Sequence, residues 1–161
     1  MRFLSHLKRL LLSATMLVVV AVSAVAQDFV KGNLYVIEPA AQTGKVVAYT
    51  QAGDVTISPL STTDGLQQWT ITELAGSWRI INPFSNLAVR CTDNGKVEMG
   101  ENNGSDEFQL WKTEAAADGL YYLVPSNQPT KAAYLQKNGT LALMDKTKAK
   151  GNRSAMFALK P

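Results

Sequence analysis

Apolar residues alternate on both sides of a glycine three times over, and this constrains the chain more than any other feature. Six and four residues before Gly53, Gly95 and Gly139 stand Val47 and Tyr49, Val89 and Cys91, and Ala133 and Leu135. Two and four residues after them stand Val55 and Ile57, Val97 and Met99, and Leu141 and Leu143. Successive side chains of a strand point to opposite faces, so period two on both sides of a glycine describes a hairpin with one apolar face. At a hydrophobic content of 46%, all twelve positions would be apolar by chance on the order of once in ten thousand trials, so the repeat is read as real. Asn94-Gly95 and Asn138-Gly139 suit type I′ turns, in which both central residues need positive φ.

The flanks extend the pattern. Tyr35, Trp78 and Tyr121 precede the hairpins, each followed two residues on by Ile37, Ile80 or Leu123. Trp69, Phe108 and Phe157 follow them, trailed by Ile71, Leu110 and Leu159. Each repeat (33–74, 77–116 and 120–161) therefore reads as four short strands, twelve in all, in an all-β chain. Units this small cannot each close a core, so three must share one within a single domain spanning 27–161.

Three four-stranded repeats, with Gln67-Gln68-Trp69 at the start of a fourth strand, resemble the ricin-type β-trefoil lectins. Before the hairpins of that family comes a stretch like Ser-Gly-Lys-x-Leu-Asp-Val; here TGKVVAY (43–49), SNLAVRC (85–91) and, more loosely, PTKAAYL (129–135) take its place. The resemblance implies a β-trefoil: six strands closing a barrel and three hairpins capping it. It also implies a sugar site on each repeat, where an aspartate on the second strand accepts hydrogen bonds from sugar hydroxyls. The matching positions hold Ala48, Arg90 and Tyr134, none of them a carboxylate. The Gln-x-Trp is read in the first repeat alone, with Asp106-Glu107-Phe108 and Ala155-Met156-Phe157 as its counterparts. The expectation is a lectin scaffold whose family site is degenerate.

Residues 1–26 are expected to be a cleaved signal peptide: a basic start (Arg2, Lys8, Arg9), a short apolar run and a small-x-small site at Ala24-Val25-Ala26. No cysteine follows to accept a lipid, so the expected location is secreted or periplasmic, without stable membrane insertion. The three leader cations supply the net charge of +3, leaving the rest near neutral. Cys91 is the only cysteine, which excludes an internal disulfide and reads as a small inward-facing hydrophobe. The run DKTKAKGNR (145–153) reads first as a solvated loop. Without interleaved aromatics it does not suggest nucleic-acid binding.

Catalysis finds no residues. The single histidine, His6, lies in the leader, so the exported chain has no imidazole for a triad or a zinc site. Asp106 and Glu107, read as strand neighbours, point to opposite faces and make no acid–base pair. No metal, cofactor or catalytic residue is expected.

Binding candidates are residues that break the core pattern. With Phe108 and Leu110 facing inward, Trp111 faces outward and offers an indole to a pyranose ring. The alternative is that it covers the barrel end or packs near Phe29. Tyr134 points outward where the family's aspartate would be, with Asn138 and Asn152 in neighbouring loops. Arg90 occupies that place in repeat two and suits an acidic sugar or carboxylate; Asp93, Asn94 and Asn102 surround it. Each of these Asn and Asp residues is also an ordinary turn former. Gln67 is expected to fix backbone near its own strand. The reading is an exported, non-catalytic carbohydrate-binding protein whose partner is a glycan or cell-surface polysaccharide. The alternative is a protein-binding trefoil, such as a peptidase inhibitor or an adhesion or assembly factor. Its contact loop would be 58–65, or 146–153 with Lys148, Lys150 or Arg153.

Overall fold

The computed structural model describes residues 29–117 and 119–161. The expected leader lies outside the described residues. Each repeat supplies four strands. The first gives β1 (Val36–Pro39), β2 (Lys45–Tyr49), β3 (Val55–Pro59) and β4 (Thr70–Leu74). The second gives β5 (Ser77–Asn82), β6 (Leu87–Cys91), β7 (Val97–Glu101) and β8 (Trp111–Ala117). The third gives β9 (Leu120–Pro125), β10 (Lys131–Leu135), β11 (Leu141–Asp145) and β12 (Phe157–Lys160), with a single helical turn, α1 (Lys146–Ala149), before the last strand.

The outer strands run β1-β12-β9-β8-β5-β4. Tyr35 and Trp69 close that path into a six-stranded barrel by exchanging backbone hydrogen bonds of 2.8 and 2.9 Å. The same join recurs within the other repeats, where Trp78 lies opposite Trp111 and Tyr121 opposite Phe157. First and last strands of every repeat thus meet at an aromatic pair, and all six residues belong to or pack against one hydrophobic cluster. Phe29 stands edge-on to Tyr35 and Trp78, with centroids 5.5 and 4.8 Å away.

The hairpins β2–β3, β6–β7 and β10–β11 form the cap, and each grips the next. Ile57 N donates to Gly139 O (3.1 Å), Met99 N to Gly53 O (2.8 Å) and Leu143 N to Gly95 O (2.7 Å), a closed ring about the pseudo-threefold axis. Gly53, Gly95 and Gly139 have φ of 87°, 81° and 86°, the left-handed region where a Cβ is penalised. Asn94 and Asn138 do not share it, so the expected type I′ turns are corrected to three-residue loops that end in a left-handed glycine. The Asn side chain instead caps the loop: Asn138 Oδ1 accepts from Thr140 N at 3.1 Å. All twelve alternating positions lie in one hydrophobic cluster with the barrel aromatics, ten of them buried and Ile57 and Leu143 partly so.

Trp111 corrects the register read from the sequence. It is 1% exposed, and its Nε1 donates to Val89 O at 3.0 Å, as Trp69 Nε1 donates to Val47 O at 3.1 Å. It therefore occupies the place of Trp69 and Phe157, and Phe108 does not. Asp106-Glu107-Phe108 belongs to a 3₁₀ turn ahead of β8, where strand alternation does not apply. Nor does Trp111 meet Phe29 in a ring contact; the rings there belong to Tyr35 and Trp78. An indole enclosed on both faces cannot stack on a sugar. Trp111→Ala is expected to cost about 3–5 kcal/mol in chemical denaturation, and Trp111→Phe less than half of that, since Phe157 already fills the equivalent place without an N–H.

Candidate functional site

The loop between third and fourth strands of each repeat fixes one wall of its outer pocket. In repeat one, Gln67 is 2% exposed; its Nε2 donates to Pro59 O (2.8 Å) and Ser58 Oγ (2.7 Å), and its Oε1 accepts from Ser61 N (2.8 Å). In repeat two, Gln109 makes the same clasp: Nε2 donates to Glu101 O (2.6 Å) and Oε1 accepts from Asn103 N (3.1 Å). A second Gln-x-Trp, Gln109-Leu110-Trp111, is therefore present. The sequence carried a signal for it, because Gly53 to Trp69 and Gly95 to Trp111 are the same sixteen-residue step. Repeat three has Ala155 there, fully buried, and α1 takes up the loop instead. A short 3₁₀ turn follows in every repeat, capped by Asp64, Asp106 and Asn152 through bonds to Leu66 N, Phe108 N and Ser154 N.

These walls face the second-strand positions Ala48, Arg90 and Tyr134, and the three copies differ. Ala48 is 4% exposed and presents no polar atom. Arg90 lies folded onto its own repeat. Its guanidinium is 5.6 Å from the Phe108 centroid, and its Nε is 3.9 Å from Asp106 Oδ2. Gly100 makes room for it, since a Cβ there would stand 2.5 Å from Arg90 Cδ. The side chain of repeat two thus fills the space its counterpart leaves open.

That counterpart is repeat three. Tyr134, Gln136, Lys137, Asn138, Met144 and Asn152 border a groove of about 530 Å³ that Ser154 also lines. Tyr134 is half-buried, and its hydroxyl accepts from Gln136 Nε2 at 3.2 Å. Asn152 Nδ2 points at Met144 Sδ, 3.8 Å away. The groove offers an aromatic wall with its phenol, three amides, a thioether and the ammonium of Lys137, and its lining has no side-chain carboxylate.

Of the residues singled out by sequence, the structure brings together Tyr134, Asn138 and Asn152. Asn94 meets Asn138 elsewhere, at the mouth of the three hairpin turns, where a pocket of about 420 Å³ also holds Lys96 bonded to Asp54 (2.9 Å) and Glu98 (3.3 Å). Asp93 is exposed in the β6–β7 turn. Asn102 accepts from Arg79 Nη2 and donates to Asn86 Oδ1, bracing a loop. Gln136 and Met144 were missed, because alternation was followed only along the inner face: Gln136 stands two residues beyond Tyr134, and Met144 on the paired strand of the same hairpin. Cys91 is fully buried, and desolvation pushes its thiol up to about 11, which leaves little thiolate for chemistry near neutral pH.

Residues 65–148 match the model of the ricin-type beta-trefoil lectin domain-like family. The chain belongs to that family. No curated protein sequence matches it. Solved structures that resemble this ricin-type trefoil share its fold at low identity. The GlcNAcα1-4Gal-releasing endo-β-galactosidase from Clostridium perfringens has a TM-score of 0.69 and 18% identity over 80% of this chain, and only 32% of the enzyme is covered. The designed threefold-symmetric protein ThreeFoil (TM-score 0.66, 17% identity) is covered over 98% of its length by 80% of this chain. A Polyporus squamosus lectin, solved with the human-type influenza-binding epitope Neu5Aca2-6Galb1-4GlcNAc, gives 0.67 and 16%, over 82% of this chain and 50% of the lectin. The trefoil thus spans about a third of the endo-galactosidase and half of the lectin.

The fit of Arg90 over Gly100 can be measured. Gly100→Ala is expected to destabilise the protein by about 1–3 kcal/mol, and by much less in an Arg90→Ala background, so a double-mutant cycle in denaturant reads the packing of the closed site.

Proposed function

We propose that this protein is an exported, non-catalytic, glycan-binding trefoil whose working site is the groove of repeat three. The observation that carries the reading is the contrast between copies. At the place where the family binds sugar, repeat one is apolar and buried, repeat two is filled by Arg90, and repeat three is open beside Tyr134. A half-exposed aromatic wall with convergent amides suits a pyranose, whose C–H face packs on the ring while its hydroxyls find the amides.

Two further points support the rest of the proposal. Asp106, the carboxylate nearest Arg90, is committed to capping its 3₁₀ turn and to Gln109 Nε2 at 3.1 Å, a structural task. Export is carried by the leader pattern of residues 1–26, a basic start, a short apolar run and a small-x-small site. The degenerate site read from the sequence then has a physical form: two copies closed and one rebuilt without an aspartate.

A protein partner is the second reading, and one observation favours it. Phe84 is 67% exposed on the β5–β6 turn, which the fully buried Asn82 braces by accepting from Ser85 N (3.0 Å) and donating to Gly65 O (2.7 Å). The loop 146–153 is a poorer candidate, because it winds into α1 and buries Ala149.

A glycan array compares these readings, run with the protein and with Tyr134→Ala and Phe84→Ala variants. Tyr134→Ala is expected to weaken binding about tenfold or more while the protein stays folded, with some loss of stability because the ring packs on Val124, Ala132, Ala149 and Ala155, and Phe84→Ala leaves binding intact. A flat array from folded protein would overturn the glycan reading and favour the partner at Phe84.

A further inference from the structure

We propose that the groove of repeat three selects acidic sugars, those bearing a carboxylate or sulfate, and that Lys137 is the cation that meets the anion. The proposal rests on reading this groove as the glycan site and names the class of ligand it takes.

The three repeats share a backbone plan but not a charge. Repeat one (33–74) sets Lys45 against four carboxylates, and repeat two (77–116) sets four basic residues against six acidic ones. Repeat three (120–161) carries seven basic residues and one acid, Asp145. Because the pseudo-threefold axis gives each repeat its own sector, the imbalance falls on one side of the molecule, the side that holds the open groove. A concave site in a field of one sign concentrates ligands of the opposite sign.

The local groups sharpen this. Asp145 faces away from the groove's chemistry: it pairs with Lys131 at 2.6 Å and Lys148 at 3.8 Å, and the Lys131 contact holds its carboxyl below the ordinary range. Lys146 pairs with Glu114 (2.7 Å) and Lys160 with Glu38 (2.5 Å). Among the described residues, Lys137, Lys150 and Arg153 form no ion pair with a carboxylate. Lys150 borders a different hollow, beside Tyr122 and Met156. Arg153 donates to Ala40 O at 2.8 Å, turned toward repeat one. Lys137 alone of the three lines the groove, exposed on its rim next to Asn138. A neutral sugar would use Tyr134 and the amides and leave Lys137 idle. An acidic one uses all of them.

The test pairs ligands with and without the anionic group: oligogalacturonates against their methyl esters, and sulfated galactan fragments against desulfated ones, titrated calorimetrically into the protein. The acidic member of at least one pair is expected to bind about fivefold or more tightly, and the gap should shrink between about 50 and about 500 mM salt. Lys137→Gln should close most of the gap without weakening the neutral partner, and Tyr134→Ala should weaken both.

Equal binding of charged and neutral members through Tyr134 would overturn the proposal and leave the glycan reading standing. Acid binding that survives Tyr134→Ala but falls with Lys148→Gln/Lys150→Gln would place the anion on the outer loop and also overturn it. So would comparable binding to phosphatidylglycerol vesicles or single-stranded DNA. If neither member of any pair binds the folded protein, the glycan function falls and this inference with it.

Discussion

The indole N–H of a buried tryptophan holds barrel and cap together. Trp69 reaches from the start of β4 to the carbonyl of Val47 in its own hairpin, and Trp111 does the same to Val89. Each tryptophan is also the backbone partner of an aromatic residue at the start of its repeat, Tyr35 or Trp78, so a single residue joins three of the four strands. A buried carbonyl left without a donor would cost about 1–3 kcal/mol, which is why the tryptophan can be trimmed only where the surroundings have changed with it. With the barrel fixed to the cap, the ring of three hairpin bonds fixes the hairpins to one another. The outer pockets are then placed by the scaffold, and only their linings are free to differ.

How those linings differ explains the uneven repeats. A position on the outer face of the second strand lies off the alternating inner face, so the three repeats can carry different side chains there. Alanine there is swallowed by neighbouring residues, arginine finds a glycine to lie on, and tyrosine leaves a hollow beside itself. None of these outcomes disturbs the alternating inner face. The polar clasp of Gln67 and Gln109 behaves differently: it is buried, bonded at both ends and tied to backbone, so it can be replaced only as a unit.

The fold was legible in the sequence because its inner face is periodic. Val47, Tyr49, Val55 and Ile57, with their counterparts, alternate without interruption through two strands, and a single glycine marks the reversal. The reading failed where periodicity stops. Between β7 and β8 the chain passes through a loop and a 3₁₀ turn, and alternation carried across that gap set Phe108 where Trp111 belongs. The outward positions of the second strand were legible for the same reason as the core, so the side on which Tyr134 stands was read correctly. Whether such a position is open depends on the size of its neighbours within the hairpin: Gly100 under Arg90, and Met144 with Gln136 beside Tyr134. Alternation gives the face these residues share but not the volume left between them.

The missing clasp of repeat three has a consequence for how such a molecule can change over time. Where Gln67 and Gln109 pin their loops, an insertion would tear out several buried bonds at once. Where Ala155 stands no amide pins the loop, and the chain there runs two residues longer and coils into α1. A gene that triplicates one unit begins with three equivalent surfaces. Losing one amide releases a single copy from that equivalence and lets it drift toward a new ligand while its two siblings keep the scaffold in order.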